Sequence, residues 1–536
     1  MGPASVRQNQ KGADPSKSGL RKVEVALLSA YHKEGLVEFA RGLERLGVRI
    51  LSSGGSAAAL RERGIPVEEV SDYTGWPEML GGRVKTLHPK VHAGVLARRD
   101  DAGQMDELAS AGILPIDLVA IDPYPFEEIA ASSDSRSRAV EGIDIGGPAL
   151  LRAAAKNHEF VVVIPGRALY GDVLDVLEAN DGATDLDCRR RWAADAFDLV
   201  SRYDAKISSF LGSDEEKEFP SRLPADLRLT RVFRYGENPH QRAALYREEG
   251  APEGTAVGAR QIQGKAISFN NMVDLDAAVR LAASLDRPGA AVIKHANPCG
   301  VAVDDVLRDA FVRARRTDEK SAFGGVIAVN RPLDGETAAA IVEFFVEAVI
   351  APEVTEEARE ILARKKKLVV LEAGDLLRQS PGSLEIRSVW GGVVAQEWDP
   401  GNFSWDDVQV VTDRKPTDEE IEKMTFGWRV VRFVRSNAIV FADARATTGI
   451  GAGQMSRVDS VRLAIRKARE AGLEMTGLAM ASDGFFPFPD SLEVASEVGV
   501  QAVIQPGGSI RDQKVVDRAN ELGMTMAMTG CRHFKH

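Results

Sequence analysis

Short β-branched apolar runs alternate with helical spacings along nearly the whole chain, and this alternation restricts the fold more than any other feature of the sequence. Val23 to Leu28 predicts a strand, Lys33 to Leu46 an amphipathic helix, and Val48 to Leu51 a second strand. Ser52-Ser53-Gly54-Gly55-Ser56 then opens a helix from Ala57 to Arg63; a small-residue loop at a helix start offers free N–H groups to an anion. Asp117 to Ile121 and Phe160 to Ile164 predict strands on either side of a helix from Ala149 to Asn157, and Leu174 to Phe210 reads as largely helical. The fold class is therefore α/β. A chain of 536 residues exceeds one core, so roughly two to four domains are expected. Gly212 to Asp226, acidic and carrying two prolines, is the best boundary. The expected layout is a polar, disordered tail over 1–21 in place of a signal peptide, a first domain over 22–211, a linker over 212–228 and a second region over 229–536.

In the second region Arg231 to Tyr235 predicts a short strand, and Ser268-Phe269-Asn270-Asn271 precedes a helix that runs through Leu285. The apolar run Ala290 to Ile293 then reads as a buried strand leading into Lys294-His295-Ala296-Asn297-Pro298-Cys299-Gly300. Asn297 to Gly300 is expected to turn the chain, and Val301 to Arg316 to form a helix. That places a lysine and a histidine at the carboxyl end of a strand, where open α/β sheets hold their ligands. A cation beside a base that titrates near neutrality suits proton transfer with charge stabilisation, although on spacing alone a surface pair is the commoner outcome. After the Ser321 to Gly325 loop comes a strand from Val326 to Val329. A second series follows the same plan: strands Gly477 to Ala481, Ala502 to Ile504 and Met524 to Met528, with loops at Ser482 to Asp490 and Gln505 to Ser509. Two tandem α/β subdomains are expected.

The net charge of −11 excludes a general nucleic-acid binder, so anionic ligands need local basic clusters. Gly81 to Pro89 is one, with Arg83, Lys85, Thr86 and His88 behind a Gly-Gly pair. Asp122-Pro123-Tyr124-Pro125 fixes a tyrosine between prolines, and Asp144-Ile145-Gly146-Gly147-Pro148 opens the helix that carries Arg152 and Lys156. Phe485 and Phe488 stand in an aromatic loop suited either to a flat heterocycle or to a core edge; Asn437 precedes a buried-looking run. No apolar run approaches the ~20 residues of a membrane span, so no membrane partner is expected. Cys188, Cys299 and Cys531 form no disulfide framework and point to the cytoplasm. Zinc-deaminase, Walker, dinucleotide and nucleophile-elbow motifs do not occur.

Taken together, Gly81 to Pro89, Asp144 to His158, Lys294 to Gly300 and Ser482 to Phe488 resemble, in the same order, the bifunctional purine-biosynthesis family that joins a transformylase to inosine monophosphate (IMP) cyclohydrolase. The resemblance runs from about Val23 to His536. It implies an N-terminal domain similar to methylglyoxal synthase and two tandem subdomains similar to cytidine deaminase without its zinc. It also implies a homodimer with transformylase sites at the interface. No tightly bound cofactor or metal is expected. 10-Formyltetrahydrofolate is the cosubstrate, and a monovalent cation is left open. The C-terminal half would formylate 5-aminoimidazole-4-carboxamide ribonucleotide, and the N-terminal half would close the product to IMP with loss of water. A second reading keeps only the transformylase and makes the N-terminal domain a non-catalytic nucleotide-binding module.

By this resemblance His295 takes the proton of the attacking amine and Lys294 stabilises developing charge or protonates the departing folate nitrogen. Arg234, Tyr235, Gly324, Glu347, Asn437, Arg457, Phe485, Phe488, Asp490, Ser509, Ile510, Arg532 and His536 fall on nucleotide and folate positions. In the cyclohydrolase half, Ser29, Lys33, Ser53, Gly54, Gly55, Ser56, Arg83, Val84, Thr86, Asp122 and Ile145 match nucleotide-binding positions. Lys156, Lys85, Tyr124 and Asp144 match the residues that fold the substrate and shuttle protons, with Lys156 foremost. One departure stands out. The family's Ser-Val-Ser-Asp-Lys-x-Gly reads here Ser29-Ala30-Tyr31-His32-Lys33-Glu34-Gly35, and Asp122 replaces a usual Asn.

Overall fold

The computed structural model describes residues 19–212, 219, 223, 227–248, 251–376 and 384–536. The expected tail over 1–18 and most of the expected linker over 212–228 lie outside the described residues. The chain divides into two compact units, Met1–Ala225 and Asp226–His536.

The first unit is built on a parallel sheet of β1 (Val25–Ala30), β2 (Arg49–Ser52), β3 (Glu68–Glu69), β4 (Leu118–Asp122) and β5 (Val162–Pro165), in the order β3-β2-β1-β4-β5. Its two central strands, β1 and β4, are mostly apolar because helices cover both faces, so Ala26, Leu27, Leu28 and Leu118 to Ala120 are all fully buried. Helix α1 (Leu36–Arg45) turns Leu36, Phe39, Ala40 and Leu43 to the sheet, and Phe39 stacks on Tyr170 with ring centroids 4.8 Å apart. α2 (Gly54–Glu62) begins three residues earlier than expected, so Gly54 and Gly55 form its first turn behind the N-cap Ser53. The chain winds outward from β1 through β2 to β3, then returns to place β4 on the other side of β1. The loops after β1 and β4 therefore diverge and leave a crevice at their carboxyl ends.

Helix α3 (Phe126–Ser132) follows β4, and α4 (Gly146–Lys156) precedes β5. The expected helix from Leu174 to Phe210 is two helices, Tyr170–Ala179 and α5 (Leu186–Gly212). They are parted because Asp181 and Gly182 take left-handed backbone conformations, with φ of 53° and 81°. The short strand Ala183–Thr184 between them pairs with Arg21–Lys22, so Arg21, assigned to the tail from sequence, is sheet.

The second unit contains two six-stranded mixed sheets of identical topology. The first comprises β6 (Arg260–Gln263), β7 (Gly289–Lys294), β8 (Asn297–Val303), β9 (Val326–Val329), β10 (Ala348–Ala351) and β11 (Val369–Glu372), in the order β6-β11-β10-β9-β7-β8. The second comprises β12 (Gln409–Val410), β13 (Ile439–Ala442), β14 (Thr447–Gly451), β15 (Ala479–Ser482), β16 (Ala502–Gln505) and β17 (Thr525–Met528), in the order β12-β17-β16-β15-β13-β14. In each sheet three strands are parallel (β9, β10, β11 and β15, β16, β17) and the rest antiparallel. The inner faces share one core with α6 (Phe269–Ala283) and α8 (Asp418–Val431), and each outer face has a core of its own. The expected strand from Arg231 to Tyr235 lies instead at Leu227–Val232, in a hairpin with Ala244–Glu248.

The stretch from Lys294 to Gly300 folds differently from the expectation. Asn297 to Gly300 is not a turn leading to a helix; it begins β8, which pairs antiparallel with β7, and the helix α7 is confined to Leu307–Arg316. The turn is His295-Ala296, both residues at φ 55°, a two-residue hairpin loop with the left-handed pair of a type I′ turn. Pro298 fits in the strand because the register shifts beside it. Gly300 has to be glycine: a Cβ there would lie 1.9 Å from the Ala314 carbonyl oxygen of α7. The second sheet repeats this packing. β14 crosses α9 (Arg457–Glu470) through Gly449 and Gly451, where a Cβ would lie 2.5 and 2.0 Å from the carbonyl oxygens of Ala464 and Ser460.

Candidate active sites

In the first unit the crevice between β1 and β4 collects most of the residues expected there. Ser56 Oγ accepts from Ala30 N at 3.0 Å and from Lys33 Nζ at 3.2 Å, which ties the end of β1 to the first turn of α2. The Lys33 and Lys85 amines flank that turn: a Cβ on Gly54 would lie 2.9 Å from Lys85 Nζ, and one on Gly55 4.0 Å from Lys33 Nζ. Two cations beside a helix N-terminus make a positively charged cradle. Burial pulls the Lys33 ammonium down, Asp122 opposes this, and Lys85 reinforces it. Thr86 is buried against Gly146 of α4, and Val84 is held by a backbone bridge to Met79.

Asp144 sits at the start of α4, where Oδ1 accepts from Gly147 N at 2.9 Å and Oδ2 from Tyr124 N at 3.4 Å. Burial raises its carboxyl pKa, against the backbone N–H groups and Lys85. Tyr203, from α5, fixes this corner through its hydroxyl, which accepts from Asp144 N at 2.7 Å. Tyr124 and Tyr31 are exposed and meet edge to face at 5.4 Å, forming an aromatic wall beside the cradle. Ser29 precedes this wall in β1, opposite Ile121 of β4.

Three expected residues stand apart within the chain. Arg83 is exposed and ion-paired with Glu141. Ile145 is 61% exposed at the α4 N-cap. Lys156 ends α4, so ten residues of helical rise, about 15 Å, separate it from Gly146.

In the second unit the carboxylate of Asp274, on α6, holds the Lys294 turn by accepting from His295 N at 3.2 Å and Ala296 N at 2.6 Å. Lys294 ends β7 as expected, but β7 runs antiparallel to β9, so that end lies at the amino ends of the parallel strands β9 to β11 and not at the sheet's carboxyl edge. Its Nζ donates to Phe323 O at 2.7 Å, beside Gly324; Glu347 pairs with Lys265 at 2.5 Å and its N–H bonds Gly325 O. A cleft of about 1080 Å³ opens beside Lys294 and His295, with Asp318, Lys320, Arg466 and Lys467 in its lining.

Asn297 bridges to the second sheet, its Oδ1 accepting from Arg435 N at 3.0 Å. Here the loops after β15, β16 and β17 gather the other expected residues at the carboxyl ends of parallel strands. Asn437 is anchored by its Nδ2 donating to Gln454 O at 2.9 Å, and its Oδ1 accepts from Arg457 Nη2 at 2.7 Å. Arg457, 5% exposed, is also ion-paired with the fully buried Asp483 and bonds Ser482 Oγ at 2.8 Å. Its guanidinium is thus committed to holding Asn437 and the loop after β15. Phe485 and Phe488 are exposed while Phe486 is buried, so the core-edge reading of this loop holds for Phe486 alone. Asp490 begins α10 (Asp490–Ser496).

Arg511 lies over the Phe488 ring at 4.6 Å, bringing the Ser509 and fully exposed Ile510 loop alongside. The chain end is ordered against this site. Arg532 covers Phe534 at 4.8 Å, a Cβ on Gly484 would lie 2.5 Å from Phe534, and Arg387 binds the His536 carbonyl at 2.8 Å. Arg234 and Tyr235 follow the Leu227–Val232 strand; among the described residues neither side chain bonds these groups. Asp274, Asp483 and Phe534 escaped the sequence reading. Each acts through a neighbour distant in sequence, and only the adjacency of Asp483 to Ser482 hinted at any of them.

Among the described residues no three His, Cys, Asp or Glu side chains group as a metal site, and no helix is long and apolar enough to cross a membrane. A family model described as the AICARFT/IMPCHase bienzyme matches residues 154–467, and one described as the MGS-like domain matches residues 35–149. The chain is also similar to a solved structure titled "Crystal structure of ForH", 36% identical, covering 35% of this chain and 100% of that one with a TM-score of 0.32. The chain belongs to the AICARFT/IMPCHase bienzyme family, and it is an enzyme of purine biosynthesis with formyltransferase and IMP cyclohydrolase activities.

Proposed function

We propose that the Lys294-His295 turn carries formyl transfer and that the crevice around Lys33, Lys85, Tyr124 and Asp144 carries ring closure. The observation that bears most weight is the Asn297 to Arg435 link, which connects the base and its cation to the Asn437 and Arg457 pocket. The nucleotide occupies the pocket formed by Asn437, Phe485, Phe488, Asp490, Ser509, Ile510 and Arg532. The cleft beside His295 takes 10-formyltetrahydrofolate, whose carboxylates suit Lys320, Arg466 and Lys467. The ring amine attacks the formyl carbon, its proton passes to His295, and Lys294 balances charge as the folate nitrogen departs.

In the other unit Lys33, Lys85 and the α2 N-terminus bind the phosphate, and Tyr124 and Asp144 fold the formyl group onto the carboxamide. Both reactions depend on orientation more than on covalent intermediates. The functional form is a homodimer in the cytoplasm. Lys156 serves ring closure only if it reaches the crevice of a second copy. Mixing Lys85→Ala with Lys156→Ala chains tests this, since a restored fraction of cyclisation is expected only for sites shared between copies. Rates in potassium compared with a bulky organic cation test whether formyl transfer needs a monovalent ion. For the residue assignment itself, Lys85→Ala is expected to abolish cyclisation of supplied formylated nucleotide while formyl transfer persists. Unchanged cyclisation would overturn it.

A further inference from the structure

His32, just past the end of β1, and Asp122, the last residue of β4, are bonded to each other. Asp122 Oδ2 accepts from the His32 backbone N–H at 2.9 Å and lies 3.0 Å from Nδ1 of its ring. The last residue of β1, Ala30, lies opposite Asp122 in β4, so the pair spans the crevice between the two strands. With Nδ1 held by a carboxylate, the ring presents Nε2, the arrangement that orients a histidine for proton transfer. The His32 ring meets Tyr31 edge to face at 5.0 Å, Tyr31 meets Tyr124, and Tyr124 N sits on Asp144 beside Lys85. His32 therefore belongs to the same wall as the residues assigned to ring closure.

The charged groups facing it are Asp122 on β4, Glu128 on α3 with Oε2 3.9 Å from Nε2, and Lys33 and Glu34 on its own loop, Glu34 being paired with Arg167. The buried Tyr170 hydroxyl, without a hydrogen-bond partner among the described residues, faces the Asp122 charge from behind. Neither lysine, tyrosine nor aspartate ordinarily titrates near neutrality; histidine does.

We propose that His32, held by Asp122, is a proton carrier of ring closure in this enzyme. In that step the carboxamide nitrogen bonds to the formyl carbon and gives one proton to His32 Nε2. The carbinolamine C–O bond then breaks, and the oxygen leaves as water with that proton and the one on the exocyclic nitrogen. The imidazole is restored, and no other reactant is consumed.

The test is the pH–rate profile for cyclisation of the formylated nucleotide by the full chain, with formyl transfer as the control for folding. His32→Ala is expected to lower kcat by roughly 100-fold or more, to change the shape of the pH–rate profile and to regain rate with added imidazole. His32→Asn keeps a donor to Asp122 but has no Nε2, and is expected to be equally slow. A His32→Ala enzyme with wild-type rate and profile, or a His32→Asn enzyme with wild-type rate, overturns the proposal. The inference rests on the cyclohydrolase site assigned above. Full cyclisation by Lys85→Ala would displace that site as a whole, whereas full activity of either His32 variant removes the proton carrier alone.

Discussion

Arg457 and Asp483 form an ion pair with almost no access to water, and their worth lies in what they hold in place. Removing one charge strands the other in a medium that solvates it poorly, which costs about 3–5 kcal/mol. Arg457→Met is therefore expected to lower the unfolding free energy by about that amount in denaturant titration, and to weaken nucleotide binding through the loss of Asn437 positioning. Arg457→Met with Asp483→Asn should recover part of the stability and none of the binding. Lys535 gives a pH signature. Burial, with Arg280 next and Arg435 weaker, brings its ammonium from 10.5 down to about 8, against Asp276. Between these values the unfolded chain holds a proton that the folded chain has released, so this group makes stability rise with pH across that window. Wild type is expected to gain melting temperature relative to Lys535→Met between pH 8 and about 10; a constant difference would show no depressed lysine. At this scale the sequence was informative where a residue type itself suggests chemistry, as at Lys294, His295 and Lys85. It was silent where a side chain works through a distant partner, as Asp274 does beneath the His295 turn.

The two crossings of edge strand over helix, β8 on α7 and β14 on α9, depend on glycines that bring backbone against backbone. Gly300→Ala and Gly451→Ala are each expected to cost at least about 2 kcal/mol, because the clash is with main chain that cannot rotate away. Equal stability of either variant to wild type, measured by denaturant, would contradict the close approach. These elements also mark the limit of the sequence pattern. Apolar runs placed the parallel strands β1, β2, β4, β5, β9, β15, β16 and β17 within two residues, since burial leaves a continuous signature, whereas β3, β10 and β11 were not read from the sequence. The same pattern could not tell a strand entering a helix from a strand entering a hairpin. At His295-Ala296 the decision lies in left-handed backbone that neither residue type advertises, and Pro298 argued against a second strand until the register shift accommodated it. Lys156 stands apart from its expected neighbours for a similar reason: ten residues of helical rise separate the ends of α4, a distance that sequence proximity conceals.

At the scale of the whole molecule, the residues proposed for the two reactions fall in separate compact units. Tandem topology in the second unit was legible from its repeated order of strands and loops, whereas the pairing of its two edge strands through Val301, Thr317 and Thr447 was not, because polar contacts between distant strands leave no period. A homodimer makes activity concentration-dependent. Formyl transfer per chain is expected to fall on dilution together with the dimer fraction seen by light scattering, and a constant specific activity in a monomer would contradict shared sites. The central claim is that one chain runs two reactions on separate residues. It is tested most directly by giving His295→Ala enzyme each substrate in turn and following IMP absorbance. The account expects no product from aminoimidazole carboxamide ribonucleotide with formyl-folate, and undiminished IMP formation from the formylated nucleotide; loss of both activities in a folded protein, or retention of both, would contradict it.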